Sequence, residues 1–388
     1  MLAGLVGTKA DQEETVKHNA AFTYESQVQL LNQNVTEWML GTVKISDDDV
    51  HTPQPDTYSV LSRYYRCLLA PNYTVFSNTS SQEQWIQDHG QQPSSHYVVS
   101  LESPHNAIHL AVGGYYQKGI YNADPILGAN GDMGDNETAA FDPIFYFHHC
   151  FVDYTFAVWQ RLWNLEKRGS LTVIKADPPY PGTFLQEGQP PNFGIGTQLD
   201  MSTLLYPFEN SRRELYTSDD MTDLKELGIS YGPGSLDPLL QSVGLGQRKS
   251  PFDILHSQLD HRLIAGGSPD ASNPFPLIKW VHGINRADYE GSFIIRLYAE
   301  GHDGKEVEVG REPVLSRRNV RGCRNCQNHL EVHFHVPIDD KALQLLQGPN
   351  KAEIKWYTKI QTRDRENPIL IPARGQVPII DDLRSPRS

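Results

Sequence analysis

Two short stretches of this chain put imidazoles where burial makes them costly. "ESPHNAIHLAVGG" (residues 102–114) carries His105 and His109, and "AFDPIFYFHHCFVDYTFAVWQ" (residues 140–160) carries the adjacent pair His148 and His149 in a strongly apolar run. Residues four apart on a helix share one face, a turn above each other, so His105 and His109 can grip a single ion together. Two neighbouring imidazoles among "FYF" and "CFVDYTF" need polar partners if they are buried, and a metal ion provides one for at least one of them. Pro104 suits the first turn of one helix and Gly113–Gly114 its end. Asp142–Pro143 predicts the start of a second helix that continues to about Lys167. Glu102, one turn before His105, is the best-placed carboxylate to act as general acid or base.

The rest of the chain separates by period. "ESQVQLLNQNVTEWMLGTV" and "DTYSVLSRYYRCLLA" repeat apolar residues at helical spacing, so residues 1–175 read as mostly helical. Residues 176–250 are rich in Pro, Gly and Ser and read as irregular structure wrapped on a scaffold. From about residue 290, "SFIIRLYAE", "LEVHFHVPI" and "AEIKWYTKI" alternate as strands do. The expected fold class is α+β, with a helical metal-binding domain over 1–285 and a β-rich C-terminal domain over 286–388.

A formal net charge of −13 argues against nucleic acid as a partner, because there is no basic excess to neutralise phosphates. No stretch approaches the run of about 20 apolar residues that a membrane helix needs, so no membrane partner is expected. The N-terminus meets acidic residues almost at once and lacks the pattern of a secretory signal, which points to the cytoplasm. The sequons at Asn34, Asn72, Asn78 and Asn136 then have no glycan to carry.

"PHNAIHLAVGG", the "GDMGD" between, and "FDPIFYFHHCFVDYTFAVWQ" together resemble the second copper half-site of the tyrosinase, catechol oxidase and molluscan hemocyanin family. "DYEGSF" and "CRNC" resemble the C-terminal region of fungal tyrosinases, so the likeness runs from about residue 20 to beyond 340. It implies that half of the metal-binding four-helix bundle is kept. It also implies His105, His109 and His149 as metal ligands, with His148 a structural neighbour. Phe145 matches the aromatic that packs on a ligand imidazole, Asp153 a carboxylate supporting the site, and Asn106 a residue that orients water near the metal. Glu102 lies one residue from where plant members hold a water-binding Glu, and Tyr154 departs from the usual "VDR".

Type-3 copper chemistry takes three histidines per ion on two ions. Before His105 the chain has only His18, His51, His89 and His96, none in the expected first-site context, so that site is expected to be missing. Three imidazoles and an open position are then the layout of a catalytic zinc site, and one metal ion per chain is expected, zinc favoured over copper. The family contains a matching precedent. The fungal hemocyanin-like cyclopenases contract a cyclopenin-type benzodiazepinedione to a viridicatin-type quinolone with loss of methyl isocyanate, without oxidation. The leading expectation is therefore a metal-dependent lyase acting on a small-molecule substrate. The alternatives are a phenol oxidase lacking its first copper site, or a non-catalytic hemocyanin-like protein. An uncovered apolar face calls for a remodelled N-terminal segment or for self-association as a homo-oligomer.

Cys323 and Cys326 form a CxxC followed by His329, His333 and His335. No second CxxC accompanies it, and the alternating His333 and His335 read as an exposed polar stripe on one strand face. A similar pair in fungal tyrosinases is linked to copper loading, which makes a relic the expectation here. Cys67 and Cys150 read as packed thiols, and Trp85, Trp159 and Trp163 as core.

Overall fold

The structure is a computed structural model that describes residues 59–89, 98–113, 131–185, 194–240, 277–289, 291–322, 324–327, 329–338, 340–363 and 378–382, with positions 32, 35, 36, 38 and 39. Helices fill the first half and strands the C-terminal region, the α+β mixture expected. The helices described in the first half are α1 (Val60–Cys67), α2 (Tyr73–Ser77), α3 (Thr79–His89), α4 (Glu102–Gly113) and α5 (Ile144–Trp163). Two compact units emerge: Met1–Arg63 with Ser103–His149 and His261–Arg384, and Tyr64–Glu102 with Cys150–Asp260 and Ser385–Ser388. Among the described residues no helix is long and apolar enough to cross a membrane.

Helix α5 begins and ends for local reasons. Asp142 accepts from the Ile144 amide at 3.0 Å, and Pro143, which has no amide hydrogen, occupies the first turn. The helix stops at Trp163, short of Lys167, because Asn164 turns into the left-handed region at φ 58. The Leu165 amide then closes back on the Gln160 carbonyl at 2.7 Å.

In the second unit α2 and α3 are capped by sequon asparagines. Asn72 accepts from Val75 N at 3.0 Å and Asn78 from Ser81 N at 2.8 Å. Trp159 is fully buried, stacks on Phe76 at 4.5 Å, and donates to the Ala70 carbonyl at 2.9 Å. Trp163 and Trp85 are only half-buried. Side-chain hydrogen bonds tie the irregular segment to the helices: Tyr180 to Asp88 at 2.7 Å and Gln160 to the Thr222 carbonyl at 2.9 Å. Tyr154, the departure from "VDR", donates to Asp237 at 2.6 Å. A Cβ on Gly234 would come within 2.4 Å of that phenol, so the turn passes close by only because position 234 is glycine.

In the first unit the C-terminal strands make two three-stranded antiparallel sheets. The strands are β1 (Leu204–Glu209) and β2 (Leu215–Thr217), a short hairpin of the other unit, then β3 (Leu277–Asn285), β4 (Phe293–Glu300), β5 (Glu306–Val314), β6 (Glu331–Ile338), β7 (Lys355–Thr362) and β8 (Ile379–Asp382). One sheet runs β6-β3-β8 and the other β5-β4-β7. Phe293, Ile295, Leu297 and Ala299 of β4 alternate into a core with Val281, Phe334, Val336, Ile338 and Ile360. The opposite face of β4 is also buried, and there Arg296 is fully covered. Its guanidinium meets both oxygens of Glu308 at 3.1 and 2.9 Å and Gln361 at 3.0 and 2.7 Å, while Arg311 reaches Glu308 at 2.9 Å.

Two expectations about this half change. His335 is buried, not part of an exposed stripe, because Trp280 stands directly opposite on β3 and stacks over it at 6.2 Å. Cys326 is disulfide-bonded, so it presents no thiolate, and Cys323 lies outside the described residues.

Gly113, the last residue of α4, meets the "GDMGD" turn with no room to spare. A Cβ there would lie 2.1 Å from the Gly134 backbone nitrogen. Gly113→Ala is therefore expected to destabilise the fold by about 1–3 kcal/mol, the usual cost of overpacking. Thermal unfolding checks this, and an unchanged midpoint would contradict it.

Candidate metal centre

Helices α4 and α5 bring four imidazoles together. The Nε2 of His105 lies 3.1 Å from that of His109 and 3.1 Å from that of His149. Each of these three rings has its other nitrogen engaged. His109 Nδ1 donates to the Met133 carbonyl at 2.7 Å, His149 Nδ1 to the Phe145 carbonyl at 2.8 Å, and His105 Nδ1 to Asn106 Oδ1 at 2.9 Å. A neutral imidazole that donates from Nδ1 carries a lone pair at Nε2. The His105 lone pair therefore faces those of His109 and His149 at hydrogen-bond distance with no proton to share. That arrangement repels itself unless a cation accepts all three.

His148 is the fourth ring. It is buried, stacks on His105 at 5.1 Å, and its Nε2 has no hydrogen-bond partner. One nitrogen each of His105, His109 and His148 also lie within 4.8 Å of one another. His105 Nε2 thus stands 3.1 Å from both His109 and His149, and each of these three rings is oriented by an acceptor at Nδ1. Phe145 packs on His149 at 4.0 Å and on His109 at 5.9 Å. Phe141, Tyr146 and Phe147 are exposed by 78%, 59% and 71%. Cys150 shares the exposed side of α5 with Phe147 and is not the packed thiol expected, since three residues on a helix return to the same side. Cys67 is packed as expected, and burial pushes its thiol pKa up.

The remaining candidates have definite partners. Glu102 Oε2 accepts from the Thr79 amide at 2.8 Å and its hydroxyl at 3.0 Å, and so caps the first turn of α3. Asp153 accepts from the Tyr231 hydroxyl. Asn106 spends its carbonyl oxygen on His105 rather than on solvent. Met133 had no sequence signal of its own, since a backbone carbonyl does the work, although "GDMGD" marked the segment.

Burial holds His109 neutral down to about pH 3, with the nearby His105 pushing the same way. His148 is lowered too, again mainly by burial. The unfolded chain binds a proton at these rings near pH 6.5 and the folded chain does not, so stability rises with pH across this window. Chelator-treated protein is expected to be fully stabilised above pH 6.5 and to lose about 2 kcal/mol for His109 alone by pH 5, at about 1.36 kcal/mol per pKa unit. Urea denaturation at the two pH values measures this, and a flat profile would contradict it.

A donor set of neutral imidazoles with no carboxylate among them suits copper or zinc and no hard cation. Fold and centre thus define a histidine-held metalloprotein. Residues 7–162 match the tyrosinase family, described as the common central domain of tyrosinase. The chain carries a tyrosinase-family domain, and that family binds copper. The tyrosinase HcTyr2 of a Hahella species is 41% identical over 367 residues, covering 92% of this chain and 60% of that protein. A tyrosinase of Aspergillus oryzae is 38% identical over 333 residues, covering 82% and 56%. The solved tyrosinase of Burkholderia thailandensis at low pH is 36% identical with a TM-score of 0.64, covering 93% of this chain and 62% of that one. The chain spans about three fifths of the length of these relatives.

Proposed function

We propose that His105, His109 and His149 form one copper half-site of a tyrosinase-type phenol oxidase. The approach of His105 Nε2 to those of His109 and His149, each ring fixed by an acceptor at Nδ1, carries the proposal. The likeness to tyrosinases over most of the chain supports copper over zinc and oxidation over elimination. Copper paired with a companion ion supplies the one-electron redox steps by which dioxygen oxidises a phenol or catechol. The chain's own residues prepare the place. Met133, Phe145 and Asn106 keep the three rings aimed inward, Phe145 excludes water from one side, and the exposed Phe141, Tyr146 and Phe147 offer a surface on which a phenolic ring can stack. Asn106 serves the ion through His105. Glu102, held by Thr79, fixes the start of α4, and a role in moving protons remains part of the proposal for it.

The single-ion lyase of the cyclopenase kind uses the same three imidazoles and gains no support beyond them. An oxygen electrode separates the two. Copper-loaded protein is expected to consume dioxygen with L-DOPA or catechol and to leave a cyclopenin-type compound untouched under nitrogen. Anaerobic conversion of that compound, without oxygen uptake on any phenol, would overturn the proposal in favour of the lyase.

A further inference from the structure

We infer that Arg363 is a positioning residue for the metal centre: one buried guanidinium locks the helix that carries His105 and His109 to the turn that orients His109. Arg363 follows β7 directly and is only 4% exposed. Its Nη2 donates to the Gly113 carbonyl at 3.0 Å and to the Gly131 carbonyl at 2.7 Å. Gly113 closes α4, where carbonyls lack helical partners and the helix dipole is negative, so a cation is doubly favoured there. Gly131 opens the turn in which Met133 supplies the acceptor for His109 Nδ1. The guanidinium also packs closely on that turn, since a Cβ on Gly134 would sit 2.5 Å from Arg363 Cζ. If the helix end and the turn drift apart, Met133 no longer holds His109, and the Nε2 lone pair loses its aim.

The other end of α4 is held in a similar way. Arg63 donates to Ser103 Oγ at 2.5 Å, to Glu312 of β5 at 2.8 Å, and to the Arg311 carbonyl. Both arginines therefore tie the histidine helix to the β5-β4-β7 sheet. The C-terminal strands act as part of the metal centre's frame, although they hold none of its ligands. An outer partner that orients a ligating imidazole is worth about 10- to 100-fold in metal affinity.

The inference rests on the centre being a metal site, and the test separates the two. Arg363→Met and Arg363→Lys are compared with wild type and with Val336→Ala, a cavity in the sandwich core away from this contact. Copper affinity is measured by competition with a chelator, and the His109 tautomer by 15N NMR on metal-free protein. Arg363→Met is expected to lose about 10-fold or more in affinity and to lose the fixed Nδ1–H tautomer. Arg363→Lys is expected to fall between it and wild type, whereas Val336→Ala loses thermal stability alone. Wild-type affinity and an unchanged tautomer in Arg363→Met, or in Arg363→Lys should the first not fold, overturn the inference. Failure of wild type itself to bind copper overturns the metal site, and with it this role.

Discussion

Replacing His109 with Ala is expected to remove metal from the protein and, on the proposed function, to abolish turnover. The substitution takes one of three inward-facing lone pairs and leaves the Met133 carbonyl without its donor. Two imidazoles fall short of the three protein ligands that a catalytic site of this kind uses. The same change should flatten part of the acid sensitivity of the metal-free protein, because the ring whose protonation is suppressed by burial is gone. Metal content by elemental analysis and oxygen uptake measure the first effect, and urea unfolding at pH 7.5 and 5 the second. Full metal occupancy with full activity would remove His109 from the site.

The largest loss of stability is expected from Glu308→Leu. Glu308 is the carboxylate between two buried guanidiniums, Arg296 and Arg311. Without it both covered guanidiniums lose the carboxylate they share. Breaking a buried ion pair from one side costs about 3–5 kcal/mol, far more than an intact pair contributes. Because this network backs the sheet that carries Glu312 and Arg363, the variant should weaken copper binding as well as lower the unfolding midpoint. A change below about 1 kcal/mol in urea unfolding would show that the guanidiniums find other partners.

The site was more legible in the sequence than its frame. The spacing of His105 and His109 and the apolar setting of His148 and His149 are local properties of two helices, and helices report themselves through period. Resemblance alone implies His149 rather than His148 as the ligand; the structure shows His149 Nδ1 bonded within its helix to the Phe145 carbonyl and His148 grouped with His105 and His109 within 4.8 Å. Asp142–Pro143 located the start of α5, but its end depended on Asn164 taking a left-handed turn, which composition does not reveal. Arg63 and Arg363 were invisible because each acts on residues far away in the chain. His335 was misread as exposed for the same reason: alternation assigns a strand residue to a face but does not say that Trp280 covers it.

The most direct measurement is the anomalous scattering of copper in crystals of the loaded protein. The account predicts an ion bound through the Nε2 atoms of His105, His109 and His149, at about the 2.0–2.1 Å usual for imidazole on such a metal. An ion held by His148 in place of His149, or bound through Nδ1, would contradict it.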